Sequence, residues 1–259
     1  MNHARIFVLA GLMVLGGRLS VQAQTKPAAD KPAPSAPGVR LILGPAEAAA
    51  VPTRVGCPGF VHTGGGNIIV SQPAPNVIHV LMTGAALAKG HLYKDTAGSW
   101  SIDLAQDFEV VFAPDVKSAK LTLDGRLIGV LRGSRCGKFG STQAEVSVAH
   151  AEIAVGPETI MAISIPPRSV GSGENQEVYA RGGPVCVPIV PACFTLRQKF
   201  DISASVHKAP FLVNGTAAEF APEPAYNPAL YGIFDPFIGT ATRDFGFYLT
   251  ITATPVDTE

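Results

Sequence analysis

Five histidines follow the first apolar run of the chain: His62, His79, His91, His150 and His207. They are widely scattered. A zinc site built from one segment repeats its ligands every few residues, and a metalloprotease helix carries His-Glu-x-x-His. Neither pattern occurs, so these histidines bind a metal only if separate strands bring them together. The carboxylates that would suit glycosidase chemistry are Asp103, Asp107, Glu109, Glu152 and Glu219. Such work needs two of them roughly 5 to 9.5 Å apart. Asp107 and Glu109 share a strand parity and so project from one face, which reads most simply as a solvated face. No serine sits in a Gly-x-Ser-x-Gly elbow, and Gly171-Ser172-Gly173 has the wrong spacing. Gly64-Gly65-Gly66 lacks the Gly-Lys-Ser/Thr ending of a phosphate loop. The sequence therefore assigns no catalytic residue, no metal ligand and no cofactor.

Binding has one candidate. The stretch from Pro222 to Phe237, PEPAYNPALYGIFDPF, follows neither the helical nor the strand period. Tyr226, Tyr231, Phe234 and Phe237 lie on this proline-stiffened segment, and exposed rings on a rigid loop make stacking platforms for sugars or proline-rich peptides. The plainer alternative is that the rings fold down and complete a core. Glu219 and Glu223 flank the segment.

The chain has four cysteines. An even number in an exported protein points to disulfides. Cys186 with Cys193 is the favoured pair, because a short proline-containing loop separates them, and this leaves Cys57 with Cys136.

Export is read from the N-terminus. His3 and Arg5 precede the apolar run Ile6–Leu15, and small residues at Val21 and Ala23 suit cleavage after Ala23. The run is too short to span a bilayer, so the mature chain is expected to carry no transmembrane anchor. Loss of Arg5 and Arg18 leaves 18 basic and 20 acidic side chains. That balance argues against nucleic acid, which attracts a basic stripe. Charged residues make up 15% of the chain, fewer than in an average soluble domain.

These groups must be positioned by strands. Phe194–Val206 alternates strictly: Phe194, Leu196, Phe200, Ile202, Ala204 and Val206 share one face, broken only by Gln198. Asp244–Ala253 has a matching row of Phe245, Phe247, Leu249, Ile251 and Ala253, so both rows are expected in one core. Asn76–Thr83 is nearly continuous apolar sequence and reads as a strand covered on both faces. Asp124-Gly125 between apolar runs reads as a two-residue hairpin turn. Pro45–Val51 reads as a short helical turn with proline first, and Gly84–Lys89 as a short helix or an irregular crossing. Trp100–Phe112 reads as two strand pieces. Glu177–Ala180 and Pro184–Val190 read as separate short extended pieces. In Gln143–Val155 the alternation slips phase, which a bulge near His150 would absorb.

The expected fold is all-β: an antiparallel β-sandwich of immunoglobulin-like or jelly-roll type, with roughly nine to eleven strands and few or no helices after the signal peptide. The expected organisation is a signal peptide over 1–23, a disordered Pro/Ala-rich linker over 24–38, and one domain over 39–259. The alternative is two small β domains split within 166–184. The expected function is an exported, non-catalytic module with a binding or structural role in the periplasm, in the cell envelope or outside the cell, its partner a polysaccharide or an envelope protein. The alternative is a carbohydrate-active or other hydrolytic enzyme on a jelly-roll scaffold.

Overall fold

A computed structural model describes residues 38–55, 61–63, 67–90, 95–133, 135, 140–208, 213–217 and 245–256. Its strands are β1 (Val39–Val55), β2 (Val61–Thr63), β3 (Asn67–Ala74), β4 (Val77–Gly84), β5 (Ala86–Gly90), β6 (Thr96–Phe112) and β7 (Ala119–Gly133), followed by β8 (Ser141–Val155), β9 (Glu158–Ser164), β10 (Arg168–Val170), β11 (Asn175–Ile189), β12 (Ala192–His207), β13 (Val213–Ala217) and β14 (Phe245–Pro255). The described residues contain no helix. They form two antiparallel sheets. The first runs β1-β6-β12-β8, with β9 and β10 sharing the far edge of β8. The second runs β2-β5-β13-β7-β14-β4-β3, with β11 along the other edge of β7.

The clean alternation of Phe194–Val206 makes β12 a central strand of the first sheet, between β6 and β8. Its even-numbered row is buried from Phe194 to Val206. Phe194 stacks on its cross-strand neighbour Phe108 with centroids 5.4 Å apart. The even row meets the β14 row in one apolar core, where Phe200 and Phe247 approach to 6.4 Å between centroids. Gln198 marks no irregularity in β12. Its side chain is 2% exposed and its Nε2 donates to the carbonyl of Phe247 in the other sheet at 3.2 Å.

Five segments differ from the sequence reading, because contacts distant in sequence override the local signals. Asp124-Gly125 is not a turn, because β7 runs straight through it. The position is tight: a Cβ there would run into Ile163 Cδ1, the end of a flexible side chain, and press on Leu249 and Phe247 at 3.3 Å. Asp124 points outward and takes a two-pronged bond from Arg181, with Nε and Nη2 each 2.9 Å from a carboxylate oxygen. Pro45–Val51 is not helical but part of β1. Its alanines pair with β6, and tertiary pairing overrides their helix propensity. A register shift between Leu43 and Ala46 absorbs Pro45. Buried Gln106 holds this irregularity by donating to the carbonyls of Gly44 and Pro45 at 3.0 and 3.2 Å. Gly84–Lys89 contributes β5 rather than a helix, held between β2 and β13. The two pieces around Gly182-Gly183 form the single strand β11, with a register shift between Gly182 and Val185. Likewise β6 is one strand, not two.

The phase slip in β8 is resolved at Ser147, where the register against β12 shifts between Asp201 and Ile202. Beyond it, His150 pairs with Lys199 and Glu152 with Arg197, which puts both on the outer face of the first sheet. Both faces of β4 are buried: Ile78, Val80 and Met82 in the main core, and Leu81 in a small cluster with Ile128 and Tyr248 on the outer side of the second sheet.

Candidate functional site

The odd-numbered row of β12 faces away from the core, as the alternation requires, and carries Thr195, Arg197, Lys199 and Asp201. Strand register then fixes its neighbours. Lys199 stands opposite Asp103 of β6 and His150 of β8, while Arg197 stands opposite Ala105 and Glu152. One strand further out, Asp103 faces Ala49 of β1 and Ala105 faces Glu47. The small side chains of Ala49 and Ala105 leave a recess of about 690 Å3 across these four strands. Its lining carries Glu47, Asp103, Glu152, His150, Arg197 and Lys199, together with small residues of β1 and β6.

The charges in this groove are organised. Arg197 Nη1 donates to Glu152 Oε1 at 3.1 Å, and Thr159 Oγ1 donates to Glu152 Oε2 at 3.3 Å. The Arg197 bond is the main reason that the Glu152 carboxyl is held below the usual carboxylate range, with partial burial acting against it. His150 Nε2 lies 3.8 Å from the same carboxylate, and its Nδ1 is 2.7 Å from Ser164 Oγ. Lys199 Nζ is 3.7 Å from Asp201 Oδ2. Among the described residues no cation lies within ion-pair distance of Glu47 or Asp103. The groove therefore has a basic centre on β12, a neutralised acid on β8, and two open carboxylates on the side of β1 and β6. It can donate and accept several hydrogen bonds over one polar ligand. A carboxylate shifted downward is unsuited to act as a general acid, which needs a raised pKa.

The structure brings together part of what the sequence nominated. Asp103 and Glu152 line the groove. Asp107 and Glu109 do project from the same outer face of β6, exposed, and Asp107 accepts a bond from Thr195 Oγ1 at 2.7 Å. His79, His150 and His207 stay apart. His79 is on the outer face of the second sheet, His150 is in the groove, and His207 ends β12 beside Asp95 at 2.8 Å. No group of three or more His, Cys, Asp or Glu able to hold a metal ion occurs among the described residues. Tyr226, Tyr231, Phe234 and Phe237 lie outside the described residues, as do Glu219, Cys57 and Cys136. Glu47 went unnoticed in the sequence because its segment reads as a helical turn.

The expected Cys186–Cys193 bridge is not formed, and both thiols are free and exposed. The segment between them crosses from one sheet to the other. Cys186 is on the outer face of β11, 3.4 Å from Thr122 Oγ1, whereas Cys193 is on the outer face of β12 in the first sheet. Packed sheets are about 10 Å apart, and a disulfide tolerates a Cα separation of at most about 7 Å. Chain proximity was a poor guide because the loop spans the core.

No protein-family model and no curated protein matches the chain.

Proposed function

We propose that the chain is an exported, non-catalytic β-sandwich module, of immunoglobulin-like or jelly-roll type, that binds a polar polymer at the cell envelope or outside the cell. The observation that carries this reading is the groove on the outer face of the first sheet. Glu47, Asp103, Glu152, His150, Arg197 and Lys199 surround a floor of small residues there. Side chains of both signs, one strand spacing apart, suit a ligand rich in hydroxyl or amide groups. Such ligands include a polysaccharide and an extended segment of an envelope protein. The hydrolase alternative draws on three carboxylates gathered in one recess. It is weakened by the downward shift of Glu152, and among the described residues no tyrosine lines the recess.

The test is titration calorimetry of the chain from Gln24 onward against a panel of neutral and acidic polysaccharides and against envelope extracts. Saturable binding, lost in the Arg197→Ala/Lys199→Ala double variant with unchanged circular dichroism, supports the groove. Undiminished binding by that variant removes it. Release of reducing sugar from any panel member would transfer the reading to the hydrolase.

A further inference from the structure

The strand that walls the groove on one side is also an open margin. Among the described residues β1 pairs with β6 over its whole length and with no other strand. Part of its outer edge is occupied. Leu41 N–H donates to the Pro75 carbonyl at 2.7 Å, and Gln72 Nε2 donates to the Leu41 carbonyl at 2.6 Å. The bulge with Pro45 follows, and Pro52 stands further on. Prolines, bulges and covering loops are the usual means of blunting a sheet edge. Here they bracket Ala46–Val51, a window with no proline and no cation: Ala-Glu-Ala-Ala-Ala-Val. The backbone groups of a bare edge form a ready template for a further strand.

Charge indicates what that strand carries. Glu47 and Asp103 sit on adjacent strands, two residues out of step, because Glu47 faces Ala105 and Asp103 faces Ala49. The cations of β12 are engaged elsewhere, Arg197 with Glu152 and Lys199 beside Asp201. A strand added to β1 would lie about 4.8 Å from it, with alternate side chains over the same outer face. There they would meet Glu47 first. Beyond it, Ala49 and Ala105 leave the groove open towards Asp103.

We propose that the ligand of this face is an extended polypeptide segment that adds to β1 along Ala46–Val51 by backbone hydrogen bonds, with lysine or arginine at alternate positions reaching Glu47 and Asp103. This rests on the groove as a binding surface and names its occupant. Backbone pairing supplies the affinity, and the two open carboxylates supply the preference for basic side chains.

The test uses the full chain from Gln24 onward and three fluorescein-labelled ten-residue peptides, read by anisotropy. One alternates lysine and valine, one alternates glutamate and valine, and the third is the lysine peptide N-methylated at every second residue. The lysine peptide is expected to bind saturably, with Kd on the order of micromolar. Both other peptides should bind at least tenfold more weakly. Glu47→Gln/Asp103→Asn should weaken the lysine peptide about tenfold, while Glu109→Gln, on the same face but outside the groove, should not. Amide exchange should slow at Ala46–Val51 when the lysine peptide is bound. Equal binding of the methylated peptide, or an unaffected Glu47→Gln/Asp103→Asn variant, would overturn the proposal. Loss of polysaccharide binding in Arg197→Ala/Lys199→Ala is read separately, so the groove can stand as a binding surface when its proposed occupant fails.

Discussion

Arg197 and Lys199, on the outer face of the first sheet, are each about half exposed, with side-chain accessibilities of 49% and 47%. On the outer face of the second sheet, Leu81, Ile128 and Tyr248 are 1%, 5% and 2% exposed. Both faces point away from the main core, yet one is wet and the other is packed. The difference comes from the strands. In β12 and β6 polar residues occupy every second position over most of the length, which leaves charges outside and an open groove. In β4 the sequence Val77-Ile-His-Val-Leu-Met-Thr83 places apolar residues on both parities, and Tyr248 and Ile128 continue the outer layer from Leu81 over β14 and β7. The first outer face therefore stays polar and solvated, while the second contributes to stability.

Substitutions can break this contrast. Leu81→Ala should cost the most, about 2–4 kcal/mol in urea unfolding, as for a leucine in the main core. A cost below about 0.5 kcal/mol would mean that the second outer face is as dispensable as the first. Gly125→Ala should cost about 1–3 kcal/mol by overpacking against Ile163, Leu249 and Phe247. A stable Gly125→Ala protein would mean that the Ile163 side chain gives way to the added methyl.

A smaller effect is expected from His79, which burial shifts from the ordinary 6.5 down to about 4. The folded state favours its neutral form, while the unfolded chain takes up a proton near 6.5. Its contribution is complete above pH 6.5, is lost as the pH falls from 6.5 towards 4, and changes no further below that. Allowing for partial solvent screening, the loss is about 1 kcal/mol. It should be absent from His79→Gln, measured as the pH dependence of the urea midpoint. Arg197→Ala should be the mildest, within about 0.5 kcal/mol of the parent in stability. A larger cost would show that the wet face is structural after all.

The strands were legible where one parity is apolar. Phe194–Val206 and Asp244–Ala253 read directly as the strands β12 and β14, and Phe247, Leu249, Ile251 and Ala253 do share a core with the β12 row. Local signals failed where a distant contact decided the outcome. Asp124-Gly125 has the chemistry of a turn, but Ile163 and Arg181, far away in sequence, make it a mid-strand pair. Ala46–Ala50 has the composition of a helix, but β6 pairs with it throughout. The groove was illegible for the same reason. Its charged members come from β1, β6, β8 and β12, and only strand order and register place Glu47, Asp103, Arg197 and Glu152 side by side. A local motif search has no means of joining them. What the alternation did reveal was which residues would face outward, and Asp107 and Glu109 are instances.

The Gln198 amide, which reaches across the core to Phe247, has a mechanical consequence. Two layers of leucine, phenylalanine and alanine can settle against one another at several offsets, since dispersion has little directional preference. Gln198 removes that freedom. Sliding one sheet along the other by a residue pair, about 6.8 Å, would carry the Phe247 carbonyl away from Nε2 and strand a buried amide in hydrocarbon, at a cost of roughly 1–3 kcal/mol. Its bond works as a detent. It adds little to the depth of the energy minimum but makes one alignment of the layers the only comfortable one, and it thereby fixes which side chains meet across the core.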